Sequence, residues 1–150
     1  MPEHAIRARQ HLAEAVGRRM YERDHISHAL GITLEAIRPG YARLTMRVRQ
    51  DMLNSHQLLH GGMTFTLADT AFAYACNSHD RTAVATGCNI VFPATGHEGD
   101  QLTAEAVECH LSGRSGVCDV TVTNQKGEVI ALFRGQSRQM QGTVLAGEDD

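Results

Sequence analysis

The chain has 150 residues, 42% of them hydrophobic, a length and composition typical of one ordinary domain with its own buried core. Its formal net charge of -3 provides no basic stripe of the kind that binds a phosphate backbone, which argues against a nucleic-acid partner. The chain has neither an uncharged apolar stretch long enough to cross a bilayer nor an apolar signal segment at its charged N-terminus, so we expect a cytoplasmic protein.

The N-terminal part, residues 1–30, has a helical pattern. From Glu3 to about Arg23, apolar residues recur on one face and arginines on the other, which predicts an amphipathic helix. A short polar connection then ends at Gly31. Two strands joined by a tight Arg-Pro-Gly turn are expected next: Ile32–Ile37 and Tyr41–Arg49.

The run from Gly61 to Asn77 is apolar nearly all round, which predicts a central helix that is covered on every side. The following segments alternate in the manner of strands and are connected by turn residues: Ala83–Phe92, Leu102–Leu111, Gly116–Asn124 and Glu128–Arg138. The small, acidic tail 142–150 is expected to be frayed. These elements predict a single α+β domain over residues 1–150, in which a long, mostly antiparallel sheet wraps one helix and the N-terminal helix packs outside the sheet or against a partner.

The four cysteines and nine histidines show no metal-ligand spacing, because neither CxxC nor HExxH occurs. We therefore expect reduced cysteines that act as small hydrophobic residues, and no structural or catalytic zinc.

Asp69 is the only formally charged residue between His60 and His79. Burying an unpaired carboxylate is costly, so a charge in the middle of an apolar helix requires a reason. Two interpretations stay open. The carboxylate accepts hydrogen bonds from the backbone or Thr66 or faces a subunit interface, or it is a catalytic group.

The helix is preceded by His60 and opens on Gly61 and Gly62. Glycine lets a substrate approach the backbone closely, and the first amides of a helix lack intrahelical partners, so this terminus can serve as an oxyanion hole. A glycine pair equally fits a sharp loop-to-helix turn. Gly61 and Asp69 are eight residues apart, about 12 Å along a helix axis. A single chain does not easily bring Gly61 and Asp69 to the same substrate carbonyl. Two antiparallel helices across a two-fold interface do, because Gly61 of one then faces Asp69 of the other.

The segment Asn54–Gly62 (NSHQLLHGG), followed by Leu67–Ser78 (LADTAFAYACNS), resembles the PaaI-type hotdog thioesterases of phenylacetate degradation, within the acyl-CoA thioesterase superfamily. Shorter matches extend this resemblance over nearly the whole chain: Met20–Glu22, Ala29–Ile32 and Ala131–Gly135.

The resemblance implies a hotdog fold, a homodimer with two sheets joined edge to edge, and a homotetramer of two such dimers. It also implies hydrolysis of an acyl-CoA without a cofactor, with ring-hydroxylated phenylacetyl-CoA as the characteristic substrate. The resemblance also implies that Asp69 is the nucleophile or the general base. The amide of Gly61, aided by Asn54 and His60, orients and polarises the thioester carbonyl. A carboxylate and one or two aimed donors are sufficient for a thioester, whose leaving group is good.

Three further residues are predicted to bind substrate: Gly62, Thr86 and Arg134. Thr86 is the candidate for a hydroxyl that helps to hold the water, although β-propensity explains a threonine there as well. Arg134, like Arg138, suits a CoA phosphate, but solvated arginines are common on surfaces. His60 is expected either to hydrogen bond the substrate or to orient the loop before the helix.

Two other functions fit parts of the pattern. A hotdog 3-hydroxyacyl thioester dehydratase needs a histidine base paired with an acid, for which His60 and Asp69 are superficially suitable, but the second motif of that chemistry is missing ahead of the helix. A non-catalytic acyl-CoA-binding module would use the same groove, yet such proteins usually carry an effector segment that this chain lacks.

Overall fold

The computed structural model of the protein describes residues 1–146. Two helices precede the sheet, α1 (Glu3–Arg23) and α2 (His25–Leu30). Asp24 lies between them and caps α2, since its carboxylate accepts hydrogen bonds from the Ser27 amide at 3.1 Å and the Ser27 hydroxyl at 2.6 Å. The predicted first helix has the expected bounds, whereas the predicted connection before Gly31 contains the additional short helix α2.

Six antiparallel strands form one sheet in the spatial order β1-β2-β4-β5-β6-β3. Their bounds are β1 Thr33–Arg38, β2 Tyr41–Arg47, β3 Ala83–Val91, β4 Gln101–Ser112, β5 Ser115–Thr123 and β6 Val129–Gln139. Alternate residues of β2 and β5 are buried, as in β5, where Cys118, Val120 and Val122 enter the core. The predicted α+β class with one long sheet around a central helix is confirmed, and the arrangement is that of the hotdog fold.

The central helix α3 (Gly61–Asn77) packs on one face of this sheet. Phe72 contacts Phe133 of β6, with ring centroids 5.8 Å apart. Gly135 allows this close approach, because a Cβ at that position would lie 2.7 Å from the Phe72 ring. These contacts fix which side of α3 faces the sheet.

The expectation that α3 is covered on every side is wrong for the chain by itself. One stripe of the helix is exposed or half-buried: Gly62, Thr66, Asp69 and Ala73. The spacing of these residues, four, three and four, places them on one face over about three turns of the helix. Asp69 therefore lies on the open side of α3.

Helix α1 covers the β1 edge of the sheet. Gly17 lies against Leu34 and Ile37, and the Gln10 side chain donates a hydrogen bond to the Ile37 carbonyl at 2.9 Å. The position of α1 outside the sheet agrees with the sequence analysis. In the described part of the chain, the opposite edge, β3, has no such cover: seven of its nine residues are exposed.

Within residues 1–146, no helix combines the length and apolar character that crossing a membrane requires. Of the tail expected to be frayed, residues 142–146 are hydrogen bonded to the body, since the Leu145 amide donates to Asp80 at 3.0 Å and the Gly142 carbonyl accepts from Thr82 at 3.3 Å. The rest of that tail, residues 147–150, lies outside the described residues. Cys76 and Cys118 are buried, whereas Cys88 and Cys109 are exposed.

Tyr74 ties α3 to the α1–α2 corner. Its side chain is 1% exposed, and its hydroxyl donates to the Asp24 carboxylate at 3.1 Å. Replacing Tyr74 by Phe should lower the free energy of unfolding by about 1–2 kcal/mol, because a buried hydrogen bond to a charged acceptor is lost. Urea unfolding measures this loss.

The matched control is Tyr41→Phe, which removes an exposed hydroxyl that donates to Glu105 at 2.6 Å. We expect a change below about 0.5 kcal/mol for this variant, since water replaces an exposed partner. Equal losses in the two variants would contradict the role assigned to the Tyr74–Asp24 bond.

Candidate active site

Asp69 is half-buried on the open side of α3. Burial raises the pKa of its carboxyl, and no charge or hydrogen-bond donor contributes to that shift. The Thr66 hydroxyl donates to the Gly62 carbonyl at 2.9 Å, so it does not hold the carboxylate. Among residues 1–146, no group hydrogen bonds or ion-pairs with Asp69. An unsatisfied, partly desolvated carboxylate is suited to act as a base or nucleophile.

The N-terminus of α3 is capped by its preceding histidine. His60 Nδ1 accepts a hydrogen bond from the Gly62 amide at 2.8 Å, so the neutral ring carries its proton on Nε2. The Gly62 amide is therefore committed to the cap. The Gly61 amide makes no hydrogen bond within the described part of the chain, which leaves it available to a ligand.

A cavity of about 230 Å³ lies at this terminus. Gly61 and Asn54 line it together with Phe92, which directly follows β3. A Cβ at Gly61 would lie 3.2 Å from the tip of the exposed Phe92 ring, so a larger residue there would have to displace that ring by a few tenths of an ångström. Asn54 Oδ1 accepts from the amides of His56 at 2.9 Å and Leu58 at 3.2 Å, which orders the loop. Its Nδ2 is the part of the side chain left to donate to a ligand.

Two of the predicted substrate-binding residues lie apart from this cavity. Thr86 is exposed at an irregularity of the β3–β6 ladder, and its hydroxyl donates to the Gln136 carbonyl at 3.3 Å. Arg134 follows the core residue Phe133 and points to the opposite face of the sheet. There its guanidinium forms a bidentate pair with Asp119, at 2.6 and 2.8 Å, which lowers the pKa of that carboxyl. A phosphate would have to compete with this partner.

One chain thus brings Asn54, His60 and Gly61 together but leaves Asp69 about 12 Å away along the helix. The eight-residue spacing in the sequence predicts this separation. A site that uses both Gly61 and Asp69 requires a second copy of the chain.

Sequence reasoning missed two neighbours of these groups, Phe92 beside Gly61 and Cys88 beside Asp69. Cys88 pairs with Gly135 in the sheet, on the face that α3 covers. Burial and the nearby Asp69 charge raise the pKa of its thiol. Alternation along β3 indicates that Cys88 and Ile90 share a face, but only the strand order shows which face that is.

The described residues contain no group of three or more histidine, cysteine, aspartate or glutamate side chains arranged to hold a metal ion. Away from the open side of α3, His79 and Glu108 form a half-buried pair, with Nε2 and Oε1 2.8 Å apart.

Comparisons with known proteins show which family the chain resembles in sequence and fold. Residues 56–131 match the thioesterase superfamily. The chain is 49% identical over 125 residues to the acyl-coenzyme A thioesterase PaaI of Escherichia coli K12, covering 83% of this chain and 89% of the relative. The structure of the E. coli PaaI protein from the phenylacetic acid degradation operon superposes with a TM-score of 0.88 at 47% identity, covering 89% of this chain and 97% of that one. A hypothetical thioesterase from Streptococcus pneumoniae TIGR4, solved with coenzyme A, has a TM-score of 0.71 at 27% identity, covering 75% and 90% of the two chains.

The raised pKa of Asp69 predicts how the stability of the protein changes with pH. An ionised carboxylate that is disfavoured in the folded state destabilises the protein at every pH above its folded pKa, and the penalty disappears below its unfolded pKa. We expect Asp69→Asn to raise the melting temperature at pH 7, with a gain that shrinks as the pH is lowered toward about 4. Thermal unfolding across this pH range measures the difference.

Asp119→Asn supplies a control of opposite sign. The Arg134 guanidinium lowers the pKa of Asp119, so the pair stabilises the fold above the ordinary carboxyl pKa and the stabilisation is lost as the pH falls. This variant should therefore melt at a lower temperature than the wild type at pH 7. If Asp119→Asn melted at a higher temperature than the wild type, or Asp69→Asn at a lower one, the environments assigned to these two carboxylates would be wrong.

Proposed function

This chain belongs to the thioesterase superfamily and is a thioester hydrolase of the acyl-CoA class, and from that premise we propose that it cleaves aryl or hydroxyaryl acyl-CoA esters, of the hydroxyphenylacetyl-CoA kind, to the free acid and CoA. Support for the aryl group comes from the E. coli PaaI protein, which is 47% identical and belongs to a phenylacetic acid degradation operon.

The observation that carries the proposal is the unpaired Asp69 carboxylate. As a general base it takes a proton from water, the water oxygen bonds to the carbonyl carbon, and the carbon–sulfur bond then breaks to release CoA as a thiolate that is protonated by solvent. As a nucleophile its oxygen attacks the carbonyl carbon itself, and the carbon–sulfur bond breaks to release the CoA thiolate. Water then hydrolyses the resulting anhydride to the free acid and regenerates the carboxylate. Both routes use the same group in its ionised form.

The Gly61 amide is the proposed donor to the carbonyl oxygen, because it points from a helix N-terminus and has no other partner. Asn54 Nδ2 and the outward Nε2–H of His60 are the candidates for a second donor. The proposed chemistry uses only groups of the chain and the substrate.

We propose that the catalytic unit is a homodimer joined through β3. This strand lies at the sheet edge, is nine residues long and is mostly exposed, which is the kind of edge that natural proteins cover or pair. Antiparallel pairing of β3 with its own copy makes one continuous sheet and sets the two α3 helices antiparallel. Gly61 of one subunit then faces Asp69 of the other, which completes two composite sites.

A second interface is proposed on the outer face of the sheet, to give a homotetramer. Three apolar side chains are exposed there: Leu132 of β6 at 46%, Val91 of the adjacent strand β3 at 52%, and Val107 of β4 at 50%. Apolar side chains of this size on one sheet face are suited to burial against a second copy.

The composite site is tested by complementation. Asp69→Asn should abolish thiol release, and Gly61→Pro should lower kcat by about 10²–10³ because the oxyanion donor is lost. Proline is tolerated at the first helical position, and His60 already has extended backbone angles compatible with a following proline. Mixed Asp69→Asn/Gly61→Pro heterodimers should recover part of the activity, since one of their two sites keeps both groups.

The matched control for Gly61→Pro is Gly61→Ala, which also adds a Cβ near Phe92 but keeps the amide hydrogen. Alanine should retain more activity than proline. Verified heterodimers without any recovery would show that Gly61 and Asp69 serve one site from a single chain.

The substrate class is tested with a panel of aryl, hydroxyaryl and aliphatic CoA esters, followed by thiol release and by absorbance of an enoyl product. We expect the largest kcat/KM with hydroxyaryl esters and no enoyl formation. Enoyl formation would favour the dehydratase, and tight binding without thiol release would favour the binding module. Faster hydrolysis of aliphatic esters would overturn the aryl assignment alone.

A further inference from the structure

The last residue of α3, Asn77, joins that helix to the first residue of β3, Ala83. The buried Asn77 side chain accepts a hydrogen bond from the Ala83 amide at 2.9 Å through Oδ1, and its Nδ2 donates to the Ala83 carbonyl at 3.2 Å. Nδ2 also donates to the Ala73 carbonyl at 2.8 Å, one turn back in α3. One carboxamide therefore pairs both backbone polar groups of Ala83, as a neighbouring strand would.

The backbone groups that Asn77 pairs belong to the free edge of β3. The preceding residue, Thr82, donates to the Gly142 carbonyl at 3.3 Å and accepts from the Met140 amide at 2.7 Å, so its own groups point toward the β6 side. Successive residues of a strand direct these groups to opposite sides, so those of Ala83 point away from β6. Because β3 lies at the edge of the sheet, Asn77 closes the first position at which another strand could pair.

In the proposed dimer, this closed position restricts the register of the two β3 strands. A pairing that includes Ala83 is excluded while Asn77 holds its amide and carbonyl, so the ladder between subunits starts further along, at Ala85. A slip by one residue would turn the side chains to the other face of the sheet. The smallest permitted slip is therefore two residues, about 7 Å along the strand.

The register decides whether the composite site is complete. The helix that carries Asp69 is tied to β3 at both ends, by Asn77 on Ala83 and by the contact of Phe92 with Gly61. A slip of about 7 Å between the two strands would therefore move Asp69 of one subunit relative to Gly61 of the other by a similar distance. A misplacement of about 1 Å can already cost on the order of a hundredfold in rate.

We propose that Asn77 is a positioning residue for the composite site. Its carboxamide closes the first edge position of β3 and so selects the single register in which Asp69 of one subunit meets Gly61 of the other. This inference rests on the proposed function and on the β3-mediated dimer within it. Asn77 acts through the pairing of the strands and not on the substrate.

The first test is Asn77→Ala, which opens Ala83 to the partner strand. We expect kcat to fall by about tenfold or more with KM unchanged, because slipped dimers have incomplete sites and correctly paired dimers bind substrate as before. Nitroxide labels at the exposed Cys109, in a Cys88→Ser background that leaves one exposed thiol in each subunit, report the register. Pulsed electron paramagnetic resonance should show a distance in Asn77→Ala that the parent protein lacks.

The second test restores the closed position without Asn77. Proline is tolerated at the first residue of a strand and has no amide hydrogen, so Ala83→Pro prevents this position from donating to a partner strand. The double variant Asn77→Ala/Ala83→Pro should regain the parent distances and most of the lost kcat. Ala83→Pro alone should keep kcat near the wild-type value, and this variant tests the proposal even if Asn77→Ala does not fold.

The matched control is Ser78→Ala, which removes a buried anchor of the same helix end that does not touch β3. Ser78 Oγ accepts from the Gly40 amide at 2.7 Å, in the β1–β2 turn, and donates to the Ala75 carbonyl at 2.6 Å. Ser78→Ala should lower the urea midpoint of unfolding, as Asn77→Ala does, but keep the wild-type kcat and label distances.

Three results would overturn the assignment of Asn77: an equal loss of kcat in Ser78→Ala, unchanged kcat and distances in Asn77→Ala, or no recovery in the double variant. A wild-type protein that cleaves no CoA ester would instead refute the proposed function. The label distances report the register without any turnover, so the two failures are distinguishable.

Discussion

The candidate active site depends on one carboxylate held on the uncovered side of a helix that is otherwise packed in the core. The contact between Phe72 and Phe133 sets the rotation of α3 against the sheet, and that rotation places Asp69 outside it. Because burial without compensation raises the pKa of Asp69, the ionised group opposes folding while it stays available for chemistry. A carboxylate satisfied by donors would make the fold more stable and would be a weaker base.

The secondary structure was largely predictable because its signals are local. The central helix begins at Gly61 and ends at Asn77 as predicted, since a glycine pair and a polar stop bound an apolar run. Alternation in β2 and β5, together with strand-like segments bounded by turn residues elsewhere, located the six strands to within a few residues of their bounds. The isolated charge at Asp69 was likewise visible in the sequence, because nothing else in that run is formally charged.

The partners of the site residues were not predictable, because they depend on register and strand order. Asp119 and Arg134 are fifteen residues apart and meet only because β5 and β6 pair at that position. This pairing occupies the arginine that the sequence suggested for phosphate binding. The His60 side chain caps the helix by accepting from the Gly62 amide, and it leaves the Gly61 amide without a partner. This depends on the rotamer of His60, which the residue pattern of the sequence does not predict.

The exposed edge of β3 has a consequence for the lifetime of the protein. A nine-residue ladder with unsatisfied amides and carbonyls is a template for any extended segment that diffuses past, including those of misfolded proteins. Self-pairing closes this template with the same contact that assembles the proposed catalytic unit. Selection for turnover and selection against aggregation would then both act on β3. Although most of its side chains are exposed, this strand should therefore accept fewer substitutions that alter its backbone than an ordinary exposed strand.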